Sequence, residues 1–207
     1  MFKKLILILL ISNCSLIYGQ YEWTSGVIIL KNGETKEGLI QIPMTVASLI
    51  SFGKSRVEFK KDEDHKIQLF DKSQVDKIYF DAYDAYDANH GHYEYVPIKK
   101  NKFRLFKLIV NGKVKLYTRT IVVATDITNH SGYVIRTEYE EEKEYYILRD
   151  GESSLTPLIS HYSFLEFKEK TINYFSDCKD IVEYLRNDMY EEKDVFELVN
   201  DYNLICE

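Results

Sequence analysis

The residues in this chain that could hold a metal are three carboxylates spaced three apart, followed by two histidines spaced two apart. They are Asp81, Asp84 and Asp87, then Asn89, His90 and His92. Carboxylates at i, i+3 and i+6 beside an Asn offer the hard oxygens that Ca²⁺ takes. His90 and His92 on an extended segment point to one side, as a Zn²⁺ pair would. The run departs from the ordered Asp-x-Asp-x-Asp-Gly loop, and no second His or Cys cluster in the sequence completes a zinc set. Its plain reading is a solvated loop. Around it stand Tyr83, Tyr86, Tyr93 and Tyr95, a candidate aromatic platform for a carbohydrate or peptide. The competing reading is that Tyr93 and Tyr95 simply pack one face of a strand.

Other chemistry is sparse. The sequence holds no Gly-x-Ser-x-Gly, no His-Glu-x-x-His, no phosphate-cradling glycine loop and no dinucleotide fingerprint. No cofactor is therefore expected. Carboxylates are plentiful, above all from Glu138 to Glu144, and two acids that meet only in the fold could cleave a glycosidic bond. As a charge run, this stretch reads as the solvated end of a hairpin. His161 reads as a surface residue at a helix start.

The compartment is argued from the N-terminus and the cysteines. Residues 1–19 have the grammar of a secretory signal peptide: Lys3 and Lys4, an apolar run from Leu5 to Ile11, and Tyr18-Gly19 as a cleavage edge before Gln20. The alternative is a lipoprotein anchored at Cys14, against which stand Asn13 before it and the apolar Leu16-Ile17-Tyr18 after it. Cleavage at Gly19 leaves Cys178 and Cys206, and an even number of cysteines in an exported chain points to a disulfide. The whole chain has 27 basic against 33 acidic residues, a net charge of −6; removing residues 1–19 takes two lysines and shifts this to −8. So acidic a chain disfavours nucleic acid as a partner. No integral span is expected after cleavage, since the apolar run is too short for one.

The elements that must position these residues follow from hydrophobic period. Gly26 to Lys31 and Glu34 to Ile42 flank Asn32-Gly33, which predicts a hairpin with a type I′ turn. Val27 to Leu30 is continuously apolar and predicts a strand covered on both faces. Arg56–Lys60 with Lys66–Phe70 forms a second hairpin, and Ser73–Phe80 and Tyr93–Ile98 add strands. Phe103–Val110, Asn111-Gly112 and Lys113–Ala124 repeat the first grammar. In that return strand Val114, Leu116, Thr118 and Thr120 share one face, with Lys113, Lys115 and Arg119 on the other. Tyr133–Glu138 and Lys143–Arg149 read as separate strands around Glu140–Glu142, and Leu155–Ile159 follows Asp150-Gly151.

Near residue 160 the period becomes helical. Phe164, Phe167, Thr171, Tyr174 and Phe175 form one stripe. Cys178, Ile181, Val182 and Leu185 form a second, which Ser176 or Asp177 can cap. Val195, Leu198, Val199, Tyr202 and Cys206 form a third. If the last two helices fold back near Asn187 to Glu191, Cys178 and Cys206 meet.

The leader, the run from Gly26 through Asn32-Gly33 to Ile40, and the tail Asn173-Tyr-Phe-Ser-Asp-Cys178 with Tyr202-Asn203 and Cys206 resemble uncharacterised exported proteins of Bacteroidetes bacteria. That resemblance implies an exported, β-rich protein and carries no activity. The first hairpin, with Gly38 in its return strand, also resembles the opening of Sm-like RNA-binding barrels. RNA binding is not carried over to an acidic, exported chain.

The expected fold is mainly β with an α appendage: signal peptide 1–19, an antiparallel β barrel or sandwich over 20–159, and short helices over 160–207. An outer-membrane barrel fits poorly, because the apolar alternation is irregular and the chain ends in polar-faced helices. The expected function is non-catalytic binding or scaffolding outside the cytoplasm, in the periplasm or the medium. The partner is an unidentified protein, peptide or carbohydrate. Alternatives are a carboxylate-based hydrolase of the cell envelope and Ca²⁺ or Zn²⁺ binding through residues 81–92.

Overall fold

The computed structural model describes residues 23–42, 45–46, 56–80, 92–161 and 166–206. Asp81, Tyr83, Asp84, Tyr86, Asp87 and His90 lie outside these residues, as does the leader.

The strands are β1 (Thr24–Leu30), β2 (Thr35–Gln41), β3 (Thr45–Val46), β4 (Val57–Lys60), β5 (Gln68–Phe70), β6 (Val75–Phe80), β7 (Tyr93–Lys99), β8 (Lys102–Val110), β9 (Val114–Thr128), β10 (Val134–Arg149) and β11 (Thr156–Ile159). They form one sheet in the order β11-β10-β9-β8-β7-β6-β1-β2-β4-β5, antiparallel along that whole path. Three helices follow: α1 (Phe167–Tyr174), α2 (Lys179–Arg186) and α3 (Val195–Ile205), the last entered through a 3-10 turn at Glu192–Asp194. The chain is thus mainly antiparallel β with short C-terminal helices.

The sheet curls. Residues Thr45 and Val46 pair in parallel with Ile121 and Val122 of β9, although β2 and β9 stand five strand positions apart in the order. Laid flat, five spacings would separate them by about 24 Å. From Gln41 to Thr45 the chain can reach about 14 Å at most. The two arms must therefore bend toward each other. Among the described residues the order still ends in two separate edges, β5 and β11, so the layered arrangement is found and not a closed barrel.

Three apolar clusters hold this shape. Ile28, Leu30, Ile40, Val57, Phe59, Phe70, Val75 and Ile78 pack on one face of β1, β2 and β4–β6. On the same face farther along, Leu116, Ile147 and Leu158 meet Phe175, Ile181, Leu185, Leu198, Val199 and Tyr202 of the helical layer. Phe106, Leu108, Tyr117, Tyr146 and Leu155 pack on the opposite face. Fully burying one such side chain contributes about 1.5–3 kcal/mol.

Several local readings are corrected. At Asn32-Gly33 only Gly33 has positive φ, 86°; the Gly33 N–H donates to the Leu30 carbonyl and the Leu30 N–H to Glu34. That is a type I turn closed by a glycine bulge, and not type I′. Val27 and Ile29 are half-buried while Ile28 and Leu30 are buried, so β1 has one core face and not two. Glu140–Glu142 are no hairpin end: they pair with Val123, Val122 and Ile121 inside the continuous β10. The true turn lies at Asn129–Gly132, ten residues earlier in chain order, where Gly132 takes φ 78°. Beyond Val122 the β9–β10 hairpin becomes an arm that leaves Tyr133, Val134, Ile135 and Tyr139 exposed. Charge on both faces is compatible with strand because, past the buried Val123, both faces of this arm are largely exposed.

The helices are fastened at three points. Cys178 and Cys206 form a disulfide, with Cα atoms 5.7 Å apart, at the start of α2 and the end of α3. Arg149, at the end of β10, donates to both Asp177 oxygens at 2.7 and 3.0 Å and to the Tyr174 carbonyl at 3.1 Å. Its guanidinium lies 5.1 and 5.3 Å from the Tyr174 and Tyr202 ring centres. Asp177 therefore serves the sheet and is not the helix cap; Cys178 occupies that position without a side-chain cap bond. Burial pushes the Asp177 carboxyl up, but the Arg149 and Tyr202 hydrogen bonds outweigh it and hold it below its usual value.

Third, the Asn203 amide accepts from the Val114 N–H and donates to the Val114 carbonyl, both at 2.8 Å, as a neighbouring strand would. Gly112 makes room for it, since a Cβ there would sit 2.5 Å from Asn203 Nδ2. Gly112→Ala should cost about 1–2 kcal/mol in urea unfolding through loss of these bonds. In an Asn203→Ala background the same change should cost far less. Equal cost in both backgrounds would refute the coupling.

Candidate functional site

Cross-strand register builds one row across the sheet. Ile28 pairs with Ile78, Ile78 with Tyr93, Tyr93 with Lys107, Lys107 with Thr118, Thr118 with Tyr145, and Tyr145 with Ile159. All of these side chains share a face, because directly opposed residues of a sheet do. The row begins in the apolar cluster of β1 and β6 and ends beneath the helices. Between them, at Tyr93, Lys107, Thr118 and Tyr145, it turns polar.

That interval is the floor of a cavity of about 310 Å³. Thr120 and Lys143, paired with each other two residues along, extend the floor, and Ile109 lines its other side. Lys193 of the 3-10 turn and Val195 and Phe196 of α3 form the wall contributed by the helical layer. Three lysines thus reach it from β8, β10 and the 3-10 turn. Among the described residues no carboxylate lines it.

Each wall is held from outside. The Tyr93 ring meets Phe80 edge to face at 5.4 Å, which anchors it to the apolar cluster of β1 and β6. The Thr118 hydroxyl donates to the Glu144 carbonyl at 3.0 Å. Lys193 pairs with Glu191 at 2.8 Å, and the hydrogen bond and charge of that carboxylate hold its ammonium above the ordinary lysine value. Arg119 borders the cavity, but its side chain points to the opposite face, where Nε donates to Glu144 Oε2 at 2.7 Å.

The opposite face holds two inward carboxylates. Glu144 is 2% exposed and accepts from Arg119 Nε, from the Tyr146 hydroxyl at 2.7 Å and from the His161 N–H at 3.2 Å. Burial, together with Glu144, pushes the Tyr146 hydroxyl pKa up, so it stays a donor. Glu94 accepts from Tyr117 at 2.5 Å and lies 3.2 Å from His92 Nε2. Burial and then Glu94 raise Tyr117 in the same way. Three strand spacings, about 14 Å along the sheet, separate Glu94 from Glu144. Phe106 and Arg119 stand between them in the same row. The acids of a glycoside hydrolase flank one bond at about 5–9.5 Å. These two meet protein donors, not each other.

Of the residues singled out by spacing, the structure separates those it describes. His92 packs against Tyr79, ring centres 5.4 Å apart, and faces Glu94. Tyr93, the next residue, faces the other way into the cavity. Tyr95 shares Tyr93's face but packs on the apolar cluster with Leu105, and burial raises its hydroxyl pKa. Among the described residues no three His, Cys, Asp or Glu gather as a metal set. His161 is exposed, as a surface residue, with its ring 3.0 Å from Glu142 and its N–H donating to Glu144.

Lys107, Lys143, Tyr145 and Lys193 carry no sequence motif. The available signal was Thr118 and Thr120 continuing the face of Val114 and Leu116, with Lys107 inside an otherwise apolar run. Among the described residues no helix is long and apolar enough to cross a membrane. No family model, curated protein or solved structure matches this chain.

Proposed function

We propose that this is an exported, non-catalytic binding protein that takes an anionic ligand into the cavity between β7–β10 and α3. The observation that carries the reading is the cavity lining: Lys107, Lys143 and Lys193 with Thr118, Thr120 and aromatic walls, in a chain of net charge −6. Lysines from three separate elements bring positive charge to one concave place, with the charge of Lys193 offset by its ion pair to Glu191. Ligand pockets combine apolar walls with a few convergent polar groups in this manner, at about 300–1,000 Å³. Export is supported by the leader of residues 1–19 and by the disulfide, which belongs to oxidising compartments.

The test is binding of the exported chain, first shown by mass to begin at Gln20, to arrays of anionic, neutral and cationic oligosaccharides and peptides. Anionic members should be retained, and added salt should weaken them. Lys143→Ala should lower affinity about fivefold, the scale of one solvent-exposed charge pair. Equal retention of neutral or cationic members, or an unaffected Lys143→Ala, would overturn the reading. The carboxylate-hydrolase alternative draws no support from Glu94 and Glu144, which are spent on protein donors. The metal alternative rests on residues 81–92, of which His92 is described, and its ring faces Glu94 and Tyr79.

A further inference from the structure

We infer that the ligand joins a single carboxylate to a compact apolar body, as a phenylalkanoate or the apolar carboxyl end of a peptide does; this rests on the anionic reading above and deepens it. The cations of the lining are not equivalent. Lys193 is matched by Glu191 at 2.8 Å, and Lys107 is already engaged. Lys143 meets no hydrogen-bond or ion-pair partner among the described residues. Among those residues the cavity therefore offers one uncommitted ammonium group.

The hydroxyls sort the same way. Thr118 spends its proton on the Glu144 carbonyl at 3.0 Å. Thr120 stands directly opposite Lys143 in the register of β9 and β10. Opposed side chains of an antiparallel pair begin about 4.5–5.5 Å apart, so this ammonium and this hydroxyl can each donate to one oxygen of the same carboxylate. Among the described residues a second carboxylate on the ligand finds no such pair in the cavity.

Apolar surface adjoins that pair. Tyr145 follows Lys143 by two residues on the same face of β10, about 7 Å along the strand, and Ile109, Val195 and Phe196 line the cavity with it. All four belong to the apolar cluster beneath the helices, so a ring or branched chain placed against them extends that cluster. A further charge placed there would leave water without gaining a partner, which is unfavourable. The volume of about 310 Å³, at the lower end for ligand cavities, suits one ring and its carboxylate.

Calorimetry on the oxidised chain from Gln20 compares 3-phenylpropanoate, its neutral counterpart 3-phenylpropanol, the compact trianion propane-1,2,3-tricarboxylate and the peptide acetyl-Gly-Phe. The phenyl acid should bind about fivefold more tightly than the alcohol, the scale of one exposed charge pair. It should bind about tenfold more tightly than the trianion, which has no apolar body to bury. Lys143→Gln should erase the difference between acid and alcohol while leaving the alcohol unchanged. Lys193→Gln should leave every value within about twofold, since Glu191 already offsets that charge. Acetyl-Gly-Phe binding more tightly than the phenyl acid would identify a peptide end as the source, and the reverse order a free acid; either order supports the shared chemistry. The trianion binding as tightly as the phenyl acid overturns the single-carboxylate inference and leaves the anionic reading standing. The alcohol binding as tightly overturns both. Equal losses from Lys143→Gln and Lys193→Gln overturn the assignment of the charge to Lys143. Binding of none of the four overturns this inference, whereas retention of anionic oligosaccharides on the arrays would still uphold the functional reading.

Discussion

Replacing both Cys178 and Cys206 by Ala is expected to lower the unfolding free energy by about 3–4 kcal/mol, the chain-entropy value for a cross-link of this loop size. The two residues are 28 apart in sequence. The loop they close contains α2 and α3, eight and eleven residues long, which would be marginal as isolated helices. The effect should reach the sheet, because the same helices supply Ile181, Leu185, Leu198 and Val199 to the cluster that covers Leu116 and Ile147. Urea unfolding of oxidised and reduced protein measures it. A change below about 1 kcal/mol would show that Arg149, Asn203 and apolar packing hold the tail without the bond, and that the staple is redundant.

Glu144→Ala is expected to cost about 3 kcal/mol, the lower end for breaking a buried ion pair, because Arg119 keeps a solvent-exposed edge. The loss strands more than one group. Arg119 Nε, the Tyr146 hydroxyl and the His161 N–H all donate to this one carboxylate, and the Arg119 guanidinium also lies 5.5 and 5.3 Å from the Phe106 and Tyr146 ring centres. The paired change Glu144→Leu with Arg119→Met should recover most of the loss, since a buried ion pair replaced by apolar groups is often close to neutral. If Glu144→Ala instead unfolds at the wild-type urea midpoint, the cluster carries no stability. That outcome would return Glu144 to consideration as a reactive group.

The strands and helices were legible because their periods are local. Alternation in Val114–Thr120 and the stripe Ile181, Leu185 need only the chain itself, and both faces were read correctly. So was the disulfide, from compartment and an even cysteine count. What was not legible depends on register. Nothing about Lys107 says that Thr118 and Tyr145 lie beside it until three strands are aligned. Nor does anything about Lys193 place it near Lys143, fifty residues away in sequence, until α3 docks. Glu140–Glu142 are ambiguous for a related reason: charge signals exposure, and exposure fits a turn as well as a strand. A two-stranded arm with both faces in water satisfies the same charges while remaining strand. Tyr93 shows the limit from the other side. It was chosen with Tyr95 for its aromatic character, and the structure sends only the first of the two into the cavity.

The arm has a further consequence, for how the molecule comes apart. Residues 123–128 and 134–140 pair with each other and, among the described residues, with no third strand, whereas the bases of β9 and β10 are flanked by β8, β11 and helices. A lone two-stranded ribbon is marginal in water. Its amides should therefore exchange with solvent through local fraying that leaves the body intact, while those near Leu116 and Ile147 wait for global unfolding. One continuous hairpin thus contains two regimes of protection, divided near the point where β3 ends its pairing at Val122.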